Sequence, residues 1–273
     1  MLKQRVLTAL ILLPLALLAI FALPAPWLMV LLGAILLGGT WEYTRLAGFT
    51  GGKGSYFLVL LQTVILISLF VYRPHWDAGI LTYLYIACAV WLLMFLRLPL
   101  FRPGVRSDNA YRFISSFTAI ASVTTGWFAL CWIRAQADGS WLLLLFLLIV
   151  WAADTGAYFA GKNFGKTKLA PQISPGKTRV GLFGGLIAAP LIALLASRLM
   201  PIAEIDTSKL ILISLIVTLA SVGGDLLISL QKRASGYKDS GSLLPGHGGI
   251  LDRVDSLLGG APFFALGLLV IGI

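Results

Sequence analysis

The sequence predicts an all-α, polytopic integral membrane protein with about nine transmembrane helices, a cytoplasmic N-terminus and a C-terminus outside. Three observations predict this architecture. Hydrophobic residues make up 59% of the 273 residues and charged residues only 12%, whereas soluble domains average about a quarter charged. Apolar stretches near the length that a bilayer requires, about 20 residues, recur along the chain. The basic residues are divided unequally between alternate loops.

The nine apolar stretches follow one another with short connections: residues 6–23, 27–44, 56–72, 78–96, 113–133, 141–160, 180–197, 210–230 and 256–273. The first is too long for a signal-peptide core and lacks a small-residue cleavage motif, so we interpret it as a span. No hydrophilic stretch is left for a soluble domain. We expect 1–135 to form a scaffold with lipid access or dimer contacts, and 136–273 to carry a cytoplasm-facing active site.

The loop charges set the predicted orientation. Of the 21 Lys and Arg residues, 17 fall in the N-terminal tail and every second loop, and 4 fall on the opposite side. Positive residues stay cytoplasmic, so the split predicts a cytoplasmic N-terminus, and nine spans then put the C-terminus outside. The net charge of +10 is explained by topology and predicts no nucleic-acid partner. Cys88 and Cys131 lie inside apolar stretches and predict no disulfide.

The first half contains few polar side chains within its apolar stretches. Glu42 lies near the cytoplasmic end of the second stretch, and we expect it to pair with Arg45 at the end of a helix. Four arginines in the loop after the fourth stretch are interpreted as a topogenic cluster near anionic headgroups: Arg97, Arg102, Arg106 and Arg112.

The second half concentrates its polar residues on the predicted cytoplasmic side. Asp154 lies inside the sixth stretch, and a loop spaced by glycines follows it with five cations: Lys162, Lys166, Lys168, Lys177 and Arg179. The loop does not match a Walker A motif in its strand-to-helix context. Glycines and lysines of this kind can cradle phosphate, but the positive-inside rule explains the same cations without a ligand.

A second polar cluster follows the eighth stretch. Asp225 lies within that stretch, and Ser229 is four residues later, on the same helix face. Cations and carboxylates then alternate: Lys232, Arg233, Lys238, Asp239, His247, Asp252, Arg253 and Asp255. A topogenic loop needs only cations, so the carboxylates require another explanation. Oxygen ligands beside several cations are typical of a site for Mg²⁺ and phosphates.

These residues resemble the phosphatidate cytidylyltransferases, also called CDP-diacylglycerol synthases. The family signature is matched at twelve positions: Ser229, Lys232, Arg233, Lys238, Asp239, Pro245, His247, Gly248, Gly249, Asp252, Arg253 and Asp255. The segment "DTGAYFAGKNFGKTKLAPQISPGKT" is similar to a second block of the family, and the resemblance covers about residues 150–260. Gln231 stands where the family usually has an apolar residue. Arg179 and Val180 replace an aromatic-polar pair, so no role is assigned to them.

The resemblance implies a reaction, a cofactor and a location. Phosphatidic acid attacks the α-phosphorus of CTP and yields CDP-diacylglycerol and pyrophosphate in phospholipid biosynthesis. The nucleophile is already an oxyanion, so the chemistry requires Mg²⁺ and cations rather than a strong base. The resemblance further implies a homodimer in the cytoplasmic (inner) membrane, among membrane lipids, with the site facing the cytoplasm.

The resemblance also implies site roles. We expect Asp225 and Asp252 to bind Mg²⁺. Four cations would bind the triphosphate or the lipid phosphate: Lys232, Arg233, Lys238 and Arg253. His247, Gly248 and Gly249 would shape a phosphate loop. Asp239 and Asp255 would orient the cations, and Asp154 is a third carboxylate near the site. The remaining candidate substrate-binding residues are Ser229, Lys162, Lys166, Lys168, Ser174 and Lys177.

Two other functions were weighed. An ion-coupled transporter would suit nine spans with intramembrane carboxylates, but such sites lie near the bilayer midplane at broken helices of inverted repeats. Asp154 and Asp225 lie toward the cytoplasmic ends, and no internal repeat is visible. A CDP-alcohol phosphotransferase would carry D-G-x2-A-R…G-x3-D-x3-D, which the sequence does not contain.

Overall fold

The computed structural model describes residues 2–49, 51–202, 205–241 and 248–273. Within these ranges the chain forms nine α-helices: α1 (Leu2–Ala22), α2 (Ala25–Leu46), α3 (Lys53–Tyr72), α4 (Ile80–Phe95), α5 (Asn109–Ala135), α6 (Gly139–Phe164), α7 (Arg179–Leu199), α8 (Thr207–Ala234) and α9 (Leu251–Ile271). A short 3-10 helix, Arg73–Ala78, follows α3, and two strands, β1 (Lys168–Ala170) and β2 (Ser174–Thr178), connect α6 to α7.

The helices agree with the predicted polytopic architecture. Each predicted apolar stretch falls on one helix. Seven helices in the described part of the chain are long and apolar enough to cross a membrane: α2, α3 with the 3-10 helix, α5, α6, α7, α8 and α9. Helix α4 has only 16 residues, and the described apolar part of α1 is Leu10–Ala22. The count of nine spans and the sides of the termini therefore stay predictions.

The connection between α6 and α7 departs from the all-α prediction. It forms an antiparallel β-hairpin in which Lys168 pairs with Thr178 and Ala170 with Ser174. Thr178 ends the hairpin and begins α7, because its hydroxyl accepts a hydrogen bond from the Gly181 N–H at 3.0 Å, as an N-cap residue does. The strands are short and lack an apolar–polar alternation, so the sequence pattern did not reveal them.

Helices α6 and α7 pack in direct backbone contact through glycines. A Cβ atom on Gly156 would lie 2.7 Å from the Gly184 carbonyl oxygen, and one on Gly184 would lie 2.6 Å from the Gly156 carbonyl oxygen. Helices α8 and α9 meet similarly, since a Cβ atom on Gly259 would lie 2.7 Å from the Ala220 carbonyl oxygen. Small residues allow this approach between membrane helices. The four helices that carry the polar clusters are therefore closely paired.

The main apolar core joins the two halves of the chain. It includes Trp127 of α5, Phe146 of α6 and Phe264 of α9, all buried. The indole N–H of Trp127 donates to the Met29 carbonyl of α2 at 3.0 Å, which satisfies a polar group where no water is available. Helices α5 and α9 thus connect the N-terminal helices to those that bear the polar clusters.

Candidate active site

An ion pair between α8 and α9 organises the connection that joins them. The Lys232 ammonium donates to Asp252 Oδ1 at 2.6 Å, and both side chains are largely buried. Asp252 Oδ2 accepts three further hydrogen bonds, from the Ser240 N–H at 2.9 Å, the Ser240 hydroxyl at 3.0 Å and the Gly249 N–H at 3.0 Å. Asp252 therefore holds Ser240 and Gly249, which lie near the two ends of the connection, against the start of α9.

A second ion pair connects the β-hairpin to α8. The Lys177 ammonium lies 2.6 Å from Asp225 Oδ2. The Ser229 hydroxyl donates to Asp225 Oδ1 at 3.1 Å, which confirms the contact that the spacing of four residues predicts. Asp225 thus has a cation on one oxygen and a hydroxyl on the other, as a carboxylate in an apolar helix requires.

Two more carboxylates surround these ion pairs. Asp154 of α6 interacts electrostatically with Lys177 and Asp225. Asp255 of α9 is buried and interacts electrostatically with Asp225, Lys232 and Lys177. Three helices and the hairpin therefore bring acidic and basic groups to one region, and we name this set the charged cluster: Asp154, Lys177, Asp225, Lys232, Asp252 and Asp255.

The sequence prediction for Glu42 is wrong. In the described residues Glu42 forms no ion pair with Arg45, whose guanidinium instead lies 4.0 Å from the ring centre of Tyr237. The buried Glu42 carboxylate accepts hydrogen bonds from the backbone N–H groups of Ile250, at 2.9 Å, and Leu251, at 3.0 Å. Glu42 of α2 therefore caps the N-terminus of α9, where a negative charge is stabilising.

Glu42 also reaches the connection between α8 and α9, because the Ser240 hydroxyl donates to its Oε2 at 2.8 Å. It is the functional candidate that the sequence interpretation missed. A carboxylate inside an apolar stretch was the available signal, but its partner lies about 200 residues away along the chain, so the nearby Arg45 was the only partner that the local sequence offered.

Other predicted residues take positions around the charged cluster. The Arg233 Nε–H donates to the Ile173 carbonyl at 3.2 Å and fastens the hairpin to α8. Ser174 is half-buried on β2. Gly248 has a φ of 78°, and a Cβ atom there would lie 2.7 Å from Asp252 Oδ2, so glycine suits both the turn and the close approach. Six predicted residues are exposed: Lys162, Lys166, Lys168, Lys238, Asp239 and Arg253. Of these, Asp239 lies near Gly248, because its Cβ would be 3.7 Å from a Cβ atom placed there. His247 lies outside the described residues.

The charged cluster offers ammonium groups and carboxylates, and no cysteine or histidine, in its described part. Ammonium groups bind phosphoryl oxygens, and carboxylates bind hard divalent cations. Among the described residues, however, no group of three or more His, Cys, Asp or Glu is arranged to hold a metal. The cluster contains four carboxylates and two ammonium groups, and both ammonium groups are paired with carboxylates, so it would accept a polyanion together with a divalent cation. The predicted Mg²⁺ site stays a proposal.

Known proteins resemble the chain along nearly its whole length. The Cytidylyltransferase family matches residues 3–271. The chain is 37% identical over 265 residues to the phosphatidate cytidylyltransferase of Pseudomonas aeruginosa, covering 97% of this chain and 96% of the relative. It is 36% identical over 281 residues to that of Haemophilus influenzae, covering 97% and 98%. It is 37% identical over 225 residues to the uncharacterized protein YnbB of Escherichia coli, covering 76% and 74%.

These comparisons do not support the transporter alternative, because the family and the relatives from Pseudomonas aeruginosa and Haemophilus influenzae are named as cytidylyltransferases. The family match covers both halves of the chain, including the N-terminal helices where only hydropathy suggested a resemblance. The chain therefore belongs to the Cytidylyltransferase family.

Proposed function

We propose that the protein transfers CMP from CTP to phosphatidic acid and releases CDP-diacylglycerol and pyrophosphate. The observation that carries this proposal is the charged cluster, in which Lys177–Asp225 and Lys232–Asp252 lie at one end of α8. The names of the relatives support the choice of substrates. One substrate is a lipid and the other a nucleotide, so a polar cluster at the end of membrane helices is a suitable meeting point.

The reaction requires two anions to approach each other. A phosphate oxygen of phosphatidic acid forms a bond to the α-phosphorus of CTP, while the bond from that phosphorus to the oxygen bridging to the β-phosphate breaks. Pyrophosphate leaves with the electron pair. Because the nucleophile is already negatively charged, positioning and charge neutralisation are the main tasks. We assign them to Lys177 and Lys232 and, as the family resemblance implies, to Arg233, Lys238 and Arg253.

A magnesium ion fits the donor chemistry of the charged cluster. Its candidate ligands are all carboxylate oxygens, which hard cations prefer. Asp225 is the better placed of the two expected ligands, since it interacts electrostatically with Asp154 and Asp255. Asp252 already accepts four hydrogen bonds and would have to exchange Lys232 for the metal. When bound, Mg²⁺ would neutralise charge on the triphosphate.

The membrane, the orientation of the site and the oligomeric state are part of the same proposal. Cytosolic CTP and the 17 basic residues on one side of the predicted topology favour an active site facing the cytoplasm from the inner membrane. A homodimer follows from the family resemblance alone. Within each subunit, Glu42 would act as a positioning residue, because it holds the start of α9 and Ser240 on which the arrangement of Asp252 depends.

The direct test uses the purified chain in detergent with CTP, phosphatidic acid and Mg²⁺. We expect a CDP-lipid and an equal amount of pyrophosphate, and both should disappear with EDTA and return with excess Mg²⁺. Omitting phosphatidic acid controls for CTP hydrolysis, and Asp225→Asn controls for a contaminating enzyme. Pyrophosphate release without a CDP-lipid would refute the transfer reaction, and a rate unaffected by EDTA would refute the metal requirement.

A further inference from the structure

A cavity lies between α3 and α5, outside the charged cluster. Its volume is about 740 Å³, within the range of small-molecule sites. It is open to the surroundings of the protein and is lined by the first turns of both helices. None of its lining residues belongs to the charged cluster, which lies on α6, α8, α9 and the β-hairpin.

The lining of this cavity, which we call the α3–α5 groove, combines four polar side chains with a larger number of apolar ones. Lys53, Asn109 and Arg112 lie in the first turns of the two helices, and Ser116 lies one turn further along α5, beyond Phe113. Aromatic and aliphatic side chains follow at spacings of four residues, which keep them on one helix face: Phe57 and Leu61 on α3, and Phe113 and Phe117 on α5. The two cations therefore lie where the helices begin, whereas apolar side chains line the whole groove, including Phe49 beside Gly54 at the start of α3.

The end of the groove where the helices begin is positively charged. Lys53 and Arg112 are exposed, and neither forms an ion pair with a carboxylate in the described part of the chain. The N-terminus of α3 has no side-chain cap and favours an anion, whereas the N-terminus of α5 is capped by Asp108, which accepts a hydrogen bond from the Tyr111 N–H at 2.8 Å. The apolar lining is open, since Phe57 is 64% and Phe113 is 75% exposed. Its side chains are suited to a hydrocarbon occupant.

We propose that the α3–α5 groove binds an anionic phospholipid of the surrounding bilayer, with its phosphate between Lys53 and Arg112 and its acyl chains along Phe57 and Phe113. Basic pockets between membrane helices bind anionic headgroups in this way. Two exposed cations beside an open apolar lining favour an anionic lipid over a second copy of the chain, whose apolar contact would not need the cations. This site does not depend on the proposed CMP transfer.

Native mass spectrometry of the full chain, titrated with equal amounts of dioleoyl phosphatidylglycerol and dioleoyl phosphatidylcholine, tests the proposal. Phosphatidylglycerol has no phosphomonoester, so it does not report on the proposed substrate site. A cation near a headgroup contributes about a fivefold preference, so two predict about a thirtyfold preference for phosphatidylglycerol. Lys53→Gln with Arg112→Gln should abolish that preference, whereas Arg112→Lys should retain it.

A matched control removes the same charge elsewhere. Arg102→Gln with Arg106→Gln lies in the connection before α5, outside the groove lining, and should keep the preference. Leu61→Trp, which narrows the apolar part of the groove, should weaken binding of both lipids. Equal binding of the two lipids to the unmodified chain would overturn the proposal. So would an equal loss in the control pair, or disulfide crosslinking of two copies through Phe57→Cys, which would identify a second copy as the occupant.

Discussion

The Ser240 hydroxyl donates a hydrogen bond of 2.8 Å to the carboxylate of Glu42, across 198 residues of sequence. The same hydroxyl donates toward Asp252 Oδ2 at 3.0 Å, so its single proton is shared between two carboxylates. Glu42 also caps α9 through Ile250 and Leu251. A residue of the second helix thus holds the segment in which the family signature ends.

We predict that Glu42→Gln lowers both activity and stability. The glutamine NH₂ group would face backbone N–H or hydroxyl donors of Ser240, Ile250 and Leu251 that now bond to a carboxylate oxygen. The loss of a hydrogen bond to a charged group costs about 1.5–3 kcal/mol. A fall in CDP-lipid synthesis of about tenfold or more should accompany a lower unfolding temperature in detergent. Thr44→Val is the control, because the Thr44 hydroxyl bonds only within its own helix, to the Trp41 carbonyl. Normal activity in Glu42→Gln would remove Glu42 from the site.

Asp225→Asn and Asp252→Asn should each remove most of the activity. If both act in one concerted unit, the double variant should be little worse than either single variant. Asp255→Asn should cost less, about 10–100-fold, as expected for a residue that orients others. For each variant, two quantities are measured: the specific activity, and the fraction of the protein that elutes as a monodisperse peak in size-exclusion chromatography. Poor expression with near-normal specific activity in Asp225→Asn would indicate a structural role only.

Lys177→Gln should reduce kcat/KM for CTP more than it reduces stability. A partly exposed ion pair contributes about 1 kcal/mol or less to folding, whereas losing a charge-assisted contact to phosphate costs about 1.5–3 kcal/mol, or about 10–100-fold in rate. Lys177→Arg should recover part of the loss, and Gln172→Ala, at the turn of the same hairpin, is the control. An unfolding temperature that falls while kcat/KM holds would contradict phosphate binding by Lys177.

The predicted topology can be tested by labelling single cysteines on intact cells with an impermeant thiol reagent. Substitutions at Asp138 and Asp206 should label, and those at Lys168 and Lys238 should not. The native Cys88 and Cys131 are buried, so the reagent should label them only weakly. Strong labelling at position 238 would put the charged cluster on the side without CTP and would contradict the proposed function.

Hydropathy was sufficient to predict the helices, because a membrane span requires only an apolar run of adequate length. The Asp225–Ser229 contact was also predictable, since it depends on helix periodicity alone. The β-hairpin was not predictable, and neither was the approach of Lys177 to Asp225, which depends on the hairpin. That ion pair depends on how two distant segments pack, and a loop of glycines and lysines has no pattern that determines such packing.

Glu42 and Asp252 illustrate a further limit of sequence interpretation. The sequence shows both as carboxylates, but proximity in sequence and resemblance to a family do not reveal their partners. Asp252 accepts hydrogen bonds from Lys232, Ser240 and Gly249, which combines a structural role with its expected metal-binding role. The sequence identifies the charged residues, whereas only the structure shows which hydrogen-bond and ion-pair partners each of them has.

The backbone contact between Gly156 and Gly184 has a consequence for how natural variation in this protein is interpreted. A methyl group at either position would overlap a carbonyl oxygen of the facing helix and would displace the hairpin that carries Lys177. A mutational scan should therefore find these glycines as intolerant as the charged residues, although they have no chemical role. By contrast, Gly176 has no atom within 4 Å of its would-be Cβ and should tolerate alanine. Intolerance to substitution alone would not distinguish reacting groups from the close helix packing that supports them.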